Sequence, residues 1–159
     1  MEKVVLAAVG LLSGFASVSH PAWGRDSALA AIQSAKPSAC PPDRLQPGAQ
    51  TQGFGPQRDV EITELETVPM AGEPARRVRL LRVTVGPGGV IGWHEHSGAQ
   101  GIALLISGTV AELRNDCRDE LNHRAGAIIK EYSDTAHGFR NTGGSPAVFL
   151  VMHGEPGSN

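Results

Sequence analysis

The stretch Val90-Ile91-Gly92-Trp93-His94-Glu95-His96 decides how the rest of the chain is read. It begins with β-branched residues, follows a Gly-rich turn at Gly86-Pro87-Gly88-Gly89, and contains nothing that favours a helix cap, so it reads as a strand. Side chains alternate along an extended backbone. His94 and His96 therefore leave one face and Glu95 the other. Two imidazoles converging on one point are a metal-ligand arrangement, because neutral imidazole suits Zn, Cu, Ni and Fe and needs only one or two further donors from neighbouring segments.

Outward from that stretch the same texture recurs. Short apolar and β-branched runs span Val60 to Val68, Arg77 to Val85, Gly101 to Ile106, Thr109 to Arg114, Ala127 to Glu131, His137 to Asn141 and Ala147 to His153. Turn residues at Ser97-Gly98, Ser107-Gly108, Asn115-Asp116, Ser133-Asp134 and Thr142-Gly143-Gly144-Ser145 separate them at intervals of roughly eight to twelve residues. No amphipathic helix of useful length intervenes. Parallel strands need long crossovers, so these runs predict an all-β fold, an antiparallel sandwich or jelly roll.

A chain of 159 residues is long enough for one domain with a real core and too short for two ordinary ones. Fourteen Lys and Arg against sixteen Asp and Glu leave a net charge of −2, with no basic stripe to draw nucleic acid or anionic lipid. A small molecule or a protein remains as the expected partner. At the N-terminus, Lys3 precedes an apolar run from Val4 to Ala16 and then small residues, the pattern of a secretory signal peptide over residues 1–24, too short for a membrane span. Ala22-Trp23-Gly24 is one cleavage site and Ser17-Val18-Ser19 an earlier one; His20 leaves with the leader. A periplasmic or secreted location follows.

Residues 25–56 are rich in Ala, Pro, Gln, Gly and Ser and read as an irregular, flexible N-terminal arm with a short helix around Ser27 to Ser34; residues 57–156 hold the strands. Export makes Cys40 and Cys117 candidates for a disulfide that would tie this arm to the barrel, the alternative being two free thiols.

Two further donors are in reach of the His pair. Gln100 follows across the Ser97-Gly98-Ala99 turn, and His137 opens a new strand after the turn that ends Ile128-Ile129-Lys130-Glu131-Tyr132-Ser133-Asp134-Thr135-Ala136. Trp93 and Phe139 flank these ligands as core residues or pocket walls, while Glu131 and Tyr132 are further pocket candidates. Arg140 alternates with Phe139 and is expected to face outward, and His123 and His153 have no partner in the spacing and are expected at surface or cap positions.

In order and separation these two segments resemble the two sequence motifs of the cupin family. The first has His94-x-His96, Gln100 and Gly108; the second has Gly126, Tyr132-Ser133-Asp134, His137 and Asn141. The chain is also similar to small exported single-domain cupins (cupin type 2) through its Thr109-Val110-Ala111-Glu112-Leu113-Arg114-Asn115-Asp116-Cys117 hairpin. The resemblance implies a double-stranded β-helix with a mononuclear divalent metal, dioxygenase- or isomerase-type chemistry on a small organic molecule, and pairing into homodimers. Two departures stand out. Gln100, or Gly101 at the alternative spacing, stands where the family carries a glutamate ligand, and Tyr132-Ser133-Asp134 replaces Pro-x-Gly. Losing the carboxylate favours Zn, Cu or Ni, leaves Fe less well held, and strengthens the alternative of a non-catalytic ligand- or metal-binding module.

Overall fold

The computed structural model describes residues 25–157; the leader expected over residues 1–24 lies outside them. One helix and nine strands follow in order: α1 (Arg25–Gln33), β1 (Lys36–Ser38), β2 (Arg58–Met70), β3 (Glu73–Glu95), β4 (Gln100–Ser107), β5 (Thr109–Arg114), β6 (Leu121–Arg124), β7 (Ala127–Glu131), β8 (Ala136–Asn141) and β9 (Ala147–Pro156). A single 3-10 turn spans Pro42–Arg44. No helix among the described residues is long and apolar enough to cross a membrane.

The strands hydrogen-bond in the order β1-β7-β4-β9-β3-β8-β5-β6, with β2 against β3, and curl into an antiparallel jelly roll. β3 carries the fold. Its first half pairs with β9 from Arg76 to Val85 and its second half with β8 from Val90 to Glu95, so one strand serves both sides of the barrel. The glycines at 86–89, read from sequence as a turn between two strands, are instead the bend within one. Gly88 sits at φ 71°, which an L side chain rarely adopts, and residues 86–89 bulge out of the ladder between the paired positions Val85 and Val90.

The core forms where inward residues of several strands meet: Val83, Val85, Ala103, Leu105, Val110, Ile129, Phe139, Ala147, Phe149 and Val151. Each large apolar side chain fully withdrawn there contributes about 1.5–3 kcal/mol. Phe139 and Phe149 pack with ring centroids 5.4 Å apart. Asn141 closes the barrel end. Its amide nitrogen lies 2.9 Å from the Val85 carbonyl and 2.8 Å from that of Ser145, and its oxygen accepts from Gly143 N–H at 2.8 Å.

The segment 25–56 is built onto the barrel. β1 pairs with β7 in parallel, the one such contact among the described residues. Backbone bonds join Arg118 N–H to Arg44, Gln46 N–H to Asp116 and Gly48 N–H to Asn115. Cys40 and Cys117 are joined in a disulfide with Cα atoms 5.6 Å apart, both sulfurs in a small buried cluster with Leu121.

Candidate metal centre

His94 on β3 and His137 on β8 are directly paired across the two strands, and His96 follows just past the end of β3. Their ring centroids form a near-equilateral triangle of 5.0, 4.7 and 4.9 Å. His96 and His137 are buried and His94 half-buried. The register of β3 against β8 slips by one residue between Ile91 and His94, and this bulge lets Trp93 as well as His94 border the same cavity.

Each ring is oriented through its Nδ1. His94 Nδ1–H donates to the Gly92 carbonyl at 2.9 Å, and His96 Nδ1–H to that of Ala99 at 3.1 Å. His137 Nδ1–H donates to Glu112 Oε1 at 2.7 Å. Oxygen acceptors on all three Nδ1 atoms leave all three Nε2 atoms as lone-pair donors. Burial, and then the charge of His137, lowers the pKa of His94; burial lowers that of His96 to about 4, against a smaller upward pull from Glu131. Both rings are therefore neutral near pH 7.

The buried Glu112 anchors the outer layer. Its second oxygen accepts from His123 Nε2 at 2.7 Å, and Arg114 Nη1 stands 3.3 Å from its first. Burial alone would raise this carboxyl, but hydrogen bonds from His123 and His137 and the charges of His137 and Arg114 outweigh it and hold the pKa at about 2.

A second acidic group lies on the other side of the imidazoles. Glu131, at the end of β7, is buried, with Oε1 3.7 Å from His137 Nε2 and Oε2 2.6 Å from His153 Nε2. His94, His96 and His137 offer donor atoms close enough to share one ion, and so do His96, Glu131 and His153. Burial pushes the Glu131 carboxyl up, but the His153 hydrogen bond and the nearby imidazoles leave it lowered overall.

The structure separates the remaining sequence expectations. Gln100 is exposed and faces away from the three histidines: its neighbour Gly101 pairs with both Glu131 and His153 and so takes the inward position, leaving Gln100 on the outer side. Tyr132 is likewise exposed, one residue beyond the inward Glu131, and borders a shallow outer depression with Gln100. Trp93, Glu131 and Phe139 do line the inner cavity. His123 and His153, expected at the surface or at caps, are instead drawn inward by Glu112 and Glu131. Neither contact has a signal in sequence spacing, because each is made between strands. Arg140 faces outward as expected, its guanidinium 4.6 Å above the Phe54 ring.

The cavity beside the centre measures about 600 Å³. Its walls are largely apolar, including Ile62, Leu81, Val83, Phe149 and Val151, and its polar end is formed by His94, Glu131 and His153. That size and lining suit a small organic molecule.

The sequence pattern of the cupin domain matches residues 81–153. The chain carries a cupin domain. Solved structures with the same fold include the cupin domain of Schizosaccharomyces pombe Cnp3, 11% identical over 62% of this chain and 66% of that one, with a TM-score of 0.50. A predicted oxalate decarboxylase of Thermotoga maritima is 23% identical over 62% of this chain and 97% of its own, with a TM-score of 0.43. A recombinant oxalate oxidase in complex with glycolate is 24% identical over 65% and 55%, with a TM-score of 0.48. At such identities the likeness concerns the fold. This chain spans just under two thirds of the Cnp3 structure and about half of the oxalate oxidase. No curated protein matches the sequence.

Proposed function

We propose that this protein is an exported cupin that holds one divalent transition metal, Zn, Ni, Cu or Fe, with His94, His96 and His137, and takes a small organic molecule in the adjoining cavity. One observation carries the reading. His96 Nε2 and His137 Nε2 face each other across 2.9 Å while both Nδ1 atoms are committed as donors, so two lone pairs meet in a buried place. A shared proton would relieve that pair only; a metal ion serves the pair and His94 together. The separation also fits the group, since two nitrogens at Zn–N lengths stand about 3 Å apart when bound side by side on one ion.

When bound, the metal supplies a Lewis acid for an oxygen of the ligand. The chain supplies the rest: carbonyls and Glu112 orient the rings, Glu131 provides the carboxylate nearest the centre, and apolar walls line the approach to the site. The disulfide accords with an oxidising compartment and so with a leader over residues 1–24. The arm 25–56 and barrel 57–156 would then form the mature chain.

Elemental analysis of the purified mature protein tests the centre. About one metal ion per chain is expected, and its loss in a His94→Ala, His137→Ala double variant; a native protein without stoichiometric metal overturns the reading. N-terminal sequencing of the exported product is expected to find the leader removed.

A further inference from the structure

The cavity has two unlike parts. At one end stand His94, Glu131 and His153, and the His94 imidazole belongs to the proposed metal centre. The Gln57 amide also borders the cavity, from the segment just before β2, and can donate to an oxygen. The remaining walls are largely apolar, with Leu81 and Val83 on β3 and Phe149 and Val151 on β9. Among the described residues that line the cavity there is no lysine and no arginine.

The charges at the polar end leave a small surplus. A divalent ion on three neutral imidazoles brings two positive charges, and the Glu131 carboxylate, with Oε1 3.7 Å from His137 Nε2, offsets one. That carboxylate is held in place, since its Oε2 accepts from His153 Nε2 at 2.6 Å. Gly101 lies between the two strands that carry the pair, and a Cβ there would come within 2.7 Å of His153 Cδ2. On the far side of His137, Glu112 is already answered by Arg114 at 3.3 Å. One positive charge is left facing the cavity, and the apolar walls offer nothing to a second negative group.

Resting on the reading that His94, His96 and His137 hold a divalent metal beside this cavity, we infer that its ligand is an amphipathic monoanion: one anionic oxygen group, as in a monocarboxylate, on an apolar body. The anionic group lies at the metal end, where it neutralises the remaining charge. The body lies against Leu81, Val83, Phe149 and Val151, where each methylene withdrawn from water adds to affinity. A polyhydroxylated body, as in a sugar acid, would exchange water for walls that neither donate nor accept, at a cost for each hydroxyl.

Calorimetric titration of the protein as purified, with metal content read on the same sample, tests this with butanoate, hexanoate and octanoate, set against gluconate and 1-hexanol. Affinity is expected to rise about three- to fourfold with each added methylene along the acid series. Hexanoate is expected to bind about tenfold or more tightly than gluconate, which has the same headgroup and chain length, and than 1-hexanol, which lacks the charge. Ile62→Gln, at an exposed position on the cavity rim, should lower the affinity for octanoate more than that for butanoate. In protein that holds its metal, affinity independent of chain length, or gluconate or 1-hexanol binding as tightly as hexanoate, overturns the inference and leaves the metal centre standing, as does the failure of every probe to saturate. Protein that binds the acids with this preference but holds no metal overturns the metal centre alone.

Discussion

His137 and Glu112 are joined by a 2.7 Å hydrogen bond at the centre of the barrel, the imidazole donating from Nδ1, and both side chains are almost fully withdrawn from solvent. The same carboxylate holds His123 with its other oxygen and stands beside Arg114, so the ring of His137 is fixed from behind by a connected set of charges. Without this bond the ring could turn and present the wrong nitrogen.

Glu112→Gln therefore weakens metal binding although residue 112 touches no metal. A second-layer partner of a ligating histidine is typically worth 10- to 100-fold in affinity, and a fall of about that size is expected in competition against a chromophoric chelator. Unchanged affinity would show that His137 is oriented by packing alone.

Acid sensitivity of the metal-stripped protein follows from the signs of the shifts. The folded-state pKa of His96 lies near 4, below its ordinary 6.5, so the unfolded chain binds the extra proton first; the stability held above about pH 6.5 is lost as pH falls to about 4. Glu112, lowered to about 2 from 4.5, loses its contribution over the next window, between about pH 4.5 and 2. His94 shifts in the same direction as His96. Urea midpoints taken from pH 7 to pH 3 are expected to fall continuously, and His96→Gln should flatten the upper part of the curve. A midpoint constant between pH 6.5 and 4 would contradict the burial of neutral imidazoles.

The disulfide ties a chain-distant segment to the hairpin that carries Glu112. With a sequence separation of 77 residues, the chain-entropy relation gives a contribution on the order of 4 kcal/mol. Replacing Cys40 and Cys117 together by serine is expected to lower the denaturation midpoint accordingly and to speed proteolysis between α1 and β2, while the barrel strands persist. A loss well under 1 kcal/mol would mean that the backbone bonds of Arg44, Gln46 and Gly48 already hold the segment.

The strands and the pairing of His94 with His96 were legible because both depend on a period of two within one segment, and His137 was legible from its place after the turn in the second cupin-like motif. Val60–Val68, Thr109–Arg114 and Ala127–Glu131 announced themselves in that way, as did the common face of His94 and His96. What depends on register between segments was not legible. His153 lies 22 residues from Glu131, and their meeting is decided by how β9 and β7 flank β4. His123 reaches Glu112 only because β6 pairs with β5, and β6, with Leu121, Asn122, His123 and Arg124, is too short and polar to read as a strand. β1 contains a proline and three residues in all. The continuity of β3 was hidden by four residues that usually end a strand.

Gln100 shows how one residue of register reverses a functional reading. In a pleated strand neighbours face opposite ways, so the position that corresponds to the missing glutamate is inward at Gly101 and outward at Gln100. The inward place at Gly101 is bare, and the acid nearest the centre comes instead from Glu131 on the adjacent β7, steadied by His153. Gln100→Ala is accordingly expected to leave metal content and affinity unchanged. Glu131→Ala removes the carboxylate 3.7 Å from His137 Nε2 and leaves the half-buried His153 nitrogen without its acceptor, so a loss of affinity of about tenfold or more is expected together with a destabilisation of about 1–3 kcal/mol. Chelator competition and denaturant titration on the two single variants separate the possibilities. A protein that loses its metal with Gln100→Ala and keeps it with Glu131→Ala would require β4 to run one residue out of the register described here.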